Sequence, residues 1–326
     1  MVILERDSLC FRFPEIHPSA TLTVTFMRTL RVPDDGSTYP LPAGIDTFPM
    51  RHIEDYKDTV PVDWLNRGGV LLPMYQSEAL WINFSSSYPM ALKIAAGKVN
   101  AITGKGWSNE LGDAPQNYVV VPTQPWLDGF KTSDDSVNQF VAVPLGHGAA
   151  TAEEQVTGSA EFGGIQIIAF PLKREIYDRE KAEELEFLEM PMFSRRECSE
   201  SVPASMGLGL GGKIKQKIYE DDRAISDWET TGSRCFVHLV NSQAWQFITS
   251  EPVPHPPIPK YEYVRHGIPW FELYDDGASS VQGSETLSKL KTTSAFAATK
   301  PNDNMPIDIA STIVVNPNSI VKDGDY

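Results

Sequence analysis

Residues 115–170 read PQNYVVVPTQPWLDGFKTSDDSVNQFVAVPLGHGAATAEEQVTGSAEFGGIQIIAF, and three apolar runs within them decide the fold class. Tyr118 to Val121 closes on Pro122, Gln139 to Val143 closes on Pro144, and Gly164 to Phe170 closes on Pro171. Each run is short, rich in β-branched or aromatic residues and bounded by Pro or Gly, the pattern of strands. Between the first two lies Trp126-Leu127-Asp128-Gly129-Phe130, where Asp-Gly offers the positive φ angles of a tight turn. Between the last two lies a connection rich in Gly, Ala and Glu.

The same chemistry extends in both directions. In Ala20 to Val32 the residues Leu22, Val24 and Phe26 alternate with Thr23, Thr25 and Met27, which predicts a half-buried strand. Residues 33–52 carry four prolines with two glycines and three aspartates, fitting a long ordered loop or short edge strands. Gly69 to Tyr75, Ala79 to Phe84 and Lys93 to Ile102 add further strands at a spacing suited to sandwiches and barrels. Leu172 to Glu189 is instead dense in helix formers with a thin apolar stripe of Ile176, Leu185 and Leu188, as in an exposed helix or a connector. Lys213 to Tyr219 and Arg234 to Val240 resume the strand pattern, and a short helix with Ser242 as its cap follows. Five prolines between Pro252 and Pro259 impose an extended strap. Leu287 to Ala298 suggests a weak helix and Ile307 to Val315 a last strand. The expected fold is mainly β, with sandwich or jelly-roll-like antiparallel sheets and a few short helices. Its expected parts are a β-rich domain over 1–171, a charged helix or connector over 172–205, and a second β-rich part over 206–326 with the proline strap and an extended tail.

Composition excludes several function classes. With 41% hydrophobic residues in 326, the chain has material for a large core, so general disorder is excluded. Lys and Arg total 28 against 43 Asp and Glu, and the net charge of -15 repels phosphate backbones and anionic lipid, so no nucleic-acid partner is expected. No run approaches the ~20 apolar residues of a membrane span, and Glu5, Arg6 and Asp7 interrupt Met1 to Leu4 before a signal-peptide core forms. Cys10, Cys198 and Cys235 are odd in number and far apart, which argues against a disulfide framework and points to the cytoplasm.

The Gly207-Leu208-Gly209-Leu210-Gly211-Gly212-Lys213 run satisfies G-x-G-x-x-G through Gly207, Gly209 and Gly212, and with Lys213 nearly satisfies a P-loop. Both motifs need a helix next, yet Ile214 to Ile218 alternates like a strand, and Ile214 stands where a P-loop has Ser or Thr. The run therefore reads as a structural glycine turn or bulge, and no cofactor is expected. Gly-flanked His147, with Glu153 or Glu154 to orient it, is the candidate acid–base set, although no G-x-S-x-G nucleophile or H-E-x-x-H zinc motif accompanies it. The other histidines lack ligand spacing, Asp34-Asp35, Asp221-Asp222 and Asp275-Asp276 read as solvated turns, and His238 reads as a core-edge residue, so no metal is expected. Tyr118, Trp126 and Asp128 are the candidate ligand-binding set, rings to stack on a sugar face beside a carboxylate to accept from its hydroxyls.

The runs Pro115 to Pro122, Gln124 to Gly129, Gly163-Gly164-Ile165-Gln166 and Met206-Gly207-Leu208-Gly209 resemble those of an uncharacterised family of bacterial and fungal proteins with no known activity, over most of the chain. The resemblance implies no function. Without a coherent catalytic set, and with many strand edges and a long strap to be ordered, the sequence favours a self-associating structural or binding protein whose partner is itself, as a homo-oligomer. The alternatives are a hydrolase or carbohydrate-active enzyme using His147 with Glu153 or Glu154, and a carbohydrate-binding module taking a glycan or small ligand on its loop tryptophans.

Overall fold

The computed structural model describes residues 1–146, 150–184, 206–252, 254–273, 277–299 and 320–322. In chain order its strands are β1 (Val2–Glu5), β2 (Ser8–Arg12), β3 (Thr21–Thr29), β4 (Thr38–Tyr39), β5 (Leu41–Pro42), β6 (Gly44–Thr47), β7 (Arg51–His52), β8 (Val70–Met74), β9 (Ala79–Ser86) and β10 (Met90–Ala96). They continue with β11 (Val99–Asn100), β12 (Val119–Val121), β13 (Trp126–Leu127), β14 (Gly129–Lys131), β15 (Ser136–Pro144), β16 (Ile165–Pro171), β17 (Met206–Lys215), β18 (Ser233–Asn241), β19 (Trp270–Glu272) and β20 (Ile320–Lys322).

The first sheet runs β1-β2-β3-β9-β15-β17-β4 with β6, β13 and β14 attached, and the second runs β11-β10-β16-β18-β8-β7 with β12 attached. Their facing sides share one apolar core: Leu22, Val24, Phe26, Ile82, Phe140 and Leu208 from the first meet Leu72, Leu92, Ile94, Ile167, Val237 and Leu239 from the second. The molecule is thus mainly β and sandwich-like. Strand β3 alternates buried Leu22, Val24 and Phe26 with half-buried partners as its sequence period requires. Strands β8 and β16, by contrast, are buried along their whole length. The outer face of the second sheet is covered where Leu71 and Val240 pack with Ile53, Trp64, Trp245 and Ile248, and helices Val62–Arg67 and Ser242–Thr249 supply that cover. The outer face of the first sheet receives a small third sheet, β20-β19-β5, through Tyr39, Leu41, Tyr263 and Trp270.

Several expectations are corrected. Residues 206–215 form a strand of the first sheet between β15 and β4, not a turn, because a run without side-chain bulk can lie where neighbouring backbone comes close. The bulge expected in the same run is present: Lys213 pairs with Asn138 and Leu210 with Phe140, so Gly211 and Gly212 together oppose Gln139. Asp128-Gly129 makes no tight turn. It lies between β13, which pairs with β9, and β14, which pairs with β15, and Gly129 is needed because a Cβ there would sit 2.0 Å from the carbonyl oxygen of Asn138. The cap of helix Ser242–Thr249 is Asn241, and the hydroxyl of Ser242 is buried without a hydrogen-bond partner. Strands β17 and β18 lie beside β15, β16 and β8, so residues 206–241 complete both sheets of the part assigned to 1–171. The charged segment is helical over Arg174–Glu184. The final strand expected at Ile307 to Val315 lies outside the described residues.

The bulge makes a direct demand on side-chain volume. A Cβ on Gly212 would lie 2.0 Å from the carbonyl oxygen of Pro33, while one on Gly106 would meet nothing within 4 Å. Gly212→Ala is expected to lose at least ~3 kcal/mol of stability in urea denaturation, and Gly106→Ala to change it by less than ~1 kcal/mol, since backbone cannot yield as a flexible side chain does.

Candidate functional site

The three residues selected for ligand binding are brought to one place. Strand β12 ends in Val121 and the chain then crosses to β13 and Asp128, while the chain leaving β17 runs alongside as Gln216 to Arg223. These two stretches are joined by side chains where backbone pairing stops. Gln116 donates from Nε2 to the carbonyls of Tyr118 and Tyr219 and accepts from the N–H of Asp221. Gln124 donates to the carbonyls of Trp126 and Lys217 and accepts from Tyr219 N–H. Gln216 accepts from Asp128 N–H at 2.9 Å and donates to the carbonyl of Trp126. All three are buried. A primary amide carries the same donor and acceptor as a peptide unit, so each glutamine substitutes for a missing rung of the ladder. On its far side the 216–221 stretch takes backbone bonds from Val281 to Ile218 and between Glu220 and Ser279.

A cleft of about 790 Å³ opens over this seam. Trp126 and Tyr219 line it with Val120, Pro125 and Leu273, and Glu220, Asp221, Asp222 and Arg223 give it its charge. Asp221 is fixed from below: its Oδ2 accepts from Tyr118 Oη at 2.8 Å and from Trp228 Nε1 at 2.9 Å, and its Oδ1 from the N–H of Arg223. Burial, and after it the bond to Asp221, hold the Tyr118 phenol far above its ordinary range, so it stays a neutral donor. Arg223 is engaged by both carboxylate oxygens of Glu180, at 2.9 and 3.0 Å, which neutralises the one cation among the lining residues. Asp222 projects its side chain into solvent with 95% exposure. The mouth is therefore acidic around an aromatic wall.

Asp128 lies behind that wall, fully buried. Its Oδ2 accepts from Trp126 Nε1 at 3.0 Å and its Oδ1 has no partner. Burial pushes its carboxyl up to about 8, against the small opposing effect of the indole N–H. Asp128 is thus an anchor for Trp126, away from direct contact with a ligand in the cleft.

The acid–base candidates fare differently. Glu153 is buried, its Oε2 accepts from Gly163 N–H at 2.7 Å, and both oxygens take longer bonds from Phe162 N–H. Glu154 completes a capping box with Thr151 and accepts from Gly146 N–H. Both carboxylates serve the backbone of helix Ala152–Thr157 and its surroundings, and His147 lies outside the described residues. Gly207, Gly209 and Gly212 sit in β17 with exposed Lys213, their backbone committed to the sheet. His238 stacks on Trp64 at 4.9 Å between ring centroids and contacts the carbonyl of Gly68, and burial pulls its pKa down to about 4, as suits the core-edge reading. Among the described residues no three His, Cys, Asp or Glu side chains gather as a metal site, and Cys10 and Cys235 are free thiols.

Sequence reasoning missed the three glutamines and Glu220 to Arg223 as a cleft wall. The available signal was the placement of Gln116 and Gln124 at the ends of the Tyr118 to Pro122 block, in register with Gln216 and the acidic run that follows it. No protein-family model matches the chain, and neither the curated proteins nor the solved structures contain a match. The fold and cleft define a sandwich-like β protein with a preformed, acidic, aromatic-walled cleft.

The buried carboxyl gives the site a pH signature. Folded Asp128 keeps its proton to about pH 8, whereas an exposed aspartate loses it near 3.8. Its contribution to stability is complete below that lower value and is lost as pH rises through 8. In urea denaturation, Asp128→Asn is expected to gain on the wild type between pH 5 and pH 8 by on the order of 1 kcal/mol per unit. A difference independent of pH would rule out the buried-acid account.

Proposed function

We propose that the protein is a binding protein whose cleft takes a neutral or cationic polyhydroxylated ligand, a glycan of a few rings. The observation that carries this reading is the cleft itself, with Trp126 and Tyr219 on a wall stitched by Gln116, Gln124 and Gln216 beside the carboxylates of Glu220 and Asp222. Its volume falls in the ~300–1,000 Å³ range of small-ligand sites. Aromatic rings supply flat apolar area to the C–H face of a sugar, and Asp222 and Glu220 supply acceptors for its hydroxyls. The acidic mouth and the net charge of -15 disfavour phosphates, sulfated sugars and uronic acids.

This binding reading ranks above an enzyme built on His147 because Glu153 and Glu154 are already committed to backbone donors. Among the described residues no helix is long and apolar enough to cross a membrane. A cytoplasmic location is part of the proposal and rests on the free, buried Cys10 and Cys235.

A glycan array followed by titration calorimetry tests it. Neutral or amino oligosaccharides are expected to bind, with Trp126→Ala and Tyr219→Ala each weakening affinity about tenfold or more, the loss of one stacking ring and its buried area. Trp126→Phe, which keeps a ring, should retain most of the affinity. A folded wild type that binds no glycan, or binds equally well after both alanine substitutions, would sink the reading.

A further inference from the structure

Away from the cleft, a second pocket of about 250 Å³ lies under the proline strap and carries a charged set that the sequence did not single out. Its floor comes from register. Arg28 on β3 pairs directly with Asp46 on β6, so the two side chains stand on the same face, and Ile45 beside them is the extra residue of a β-bulge. Glu78 enters from the turn before β9, where Ser77 holds a positive φ of 69°. His255, Pro256, Pro257 and Ile258 of the strap close the other side, and the strap is tied down where Tyr75 Oη donates to the carbonyl of Pro254 at 2.7 Å.

The hydrogen bonds in this pocket are incomplete in one direction. Arg28 Nε donates to Glu78 Oε1 at 2.6 Å, and Glu78 Oε2 accepts from Tyr75 N–H at 2.8 Å. Arg28 Nη2 lies against the same Glu78 oxygen but outside hydrogen-bond geometry, and it donates to nothing. Arg28 is only 6% exposed, so this is a buried cationic donor without an acceptor, a costly arrangement in a native protein. Beside it stands the carboxylate of Asp46, also buried, whose Oδ1 accepts from Thr47 N–H. A ligand that satisfies the donor must bring an acceptor oxygen next to two carboxylates. An anion alone meets Asp46 and Glu78 as like charges, and a cation alone leaves Nη2 unpaired.

We propose that this pocket binds a small zwitterion, an aliphatic α-amino acid, with its carboxylate on Arg28 Nη2, its ammonium toward Asp46 and its side chain against Ile45 and Ile258. The volume lies just below the range of drug-sized sites and suits a ligand of this size. Both ends of the ligand then meet a buried opposite charge, and the guanidinium gains its missing acceptor. The pocket shares no lining residue with the Trp126 cleft, so this inference stands independently of the glycan reading.

Titration calorimetry of the full chain with L-leucine, 4-methylpentanoate and 3-methylbutylamine tests it, since the two analogues each lack one charged end. Leucine is expected to bind at least tenfold more tightly than either. Asp46→Asn should weaken leucine and, by removing a like charge, tighten 4-methylpentanoate, so that leucine loses its advantage over that analogue. Ile258→Trp, which fills the pocket from the strap without touching the ion pair, should abolish binding of all three with circular dichroism unaltered. No leucine binding by folded wild type, or equal binding of leucine and 4-methylpentanoate, would overturn the proposal and leave Nη2 to a buried water.

Discussion

One extra residue in one strand governs the layering of this molecule. Opposite Gln139, β17 spends both Gly211 and Gly212, and every side chain beyond that point changes face. Before the bulge, Met206, Leu208 and Leu210 point into the core between the sheets; after it, Ile214 joins Val137 on the opposite face, under the third sheet. An unbulged strand would have sent Ile214 to the same side as Leu210. The groups freed by the bulge are bonded locally, since Asn138 donates to the carbonyl of Gly211, and Gln139 accepts from Val32 N–H and donates to the carbonyl of Leu30. The bulge therefore also pins the chain leaving β3, which passes so close that only glycine fits at 212.

The site follows from how β17 ends. Past Lys215 the strand leaves its ladder with β15, and its backbone would be buried with donors and acceptors unpaired. Glutamine side chains complete the pairing there, and because a side-chain rung is longer than a backbone rung, the two chains stand apart. The cleft occupies that separation. This explains why the wall can be rigid without being sheet, and why Trp126, at the last β13 pairing with β9, is presented at the edge of ordered structure. The position of the indole is then set by Asp128 beneath it.

Sequence made the strands legible where side chains repeat with period two, as in Leu22, Val24 and Phe26, or form short blocks closed by proline, as in Tyr118 to Val121. It was misleading at Gly207 to Gly212 and at Asp128-Gly129, for one shared reason. Glycine is favoured both where the backbone must turn and where another backbone comes within 2 Å of a Cβ position, and composition alone does not separate the two. Of the site, the aromatic and acidic residue types were legible, as were Tyr118, Trp126 and Asp128 by name. Their roles differed: Trp126 lines the cleft, whereas Tyr118 and Asp128 support it from the core. Glutamine carries no such signal, being a residue normally found in water. Arg28, Asp46 and Glu78 were invisible because only strand register brings them together.

Polar burial around the two pockets follows one pattern. Within the sandwich core, the facing positions of β3, β9, β10 and β16 are apolar, and packing alone specifies them. Around the two pockets, buried charge and amide stand instead where a strand leaves its partner or bulges: Gln216 and Asp128 at the ends of β17 and β13, Glu78 just before β9, Asp46 beside the bulge and paired with Arg28. At such points hydrogen bonds must be made by side chains, and a side chain chosen to complete the backbone also brings ionisable or amide groups into low dielectric. Most of them find partners inside the chain. Asp128 Oδ1 and Arg28 Nη2 have no hydrogen-bond partner, and they lie beside the two pockets. The carboxyl relieves its position by keeping a proton, which its raised pKa permits. A guanidinium has no such escape, because it remains charged at every pH the fold survives. Of the two orphans, the arginine alone requires a partner from outside the chain's own atoms.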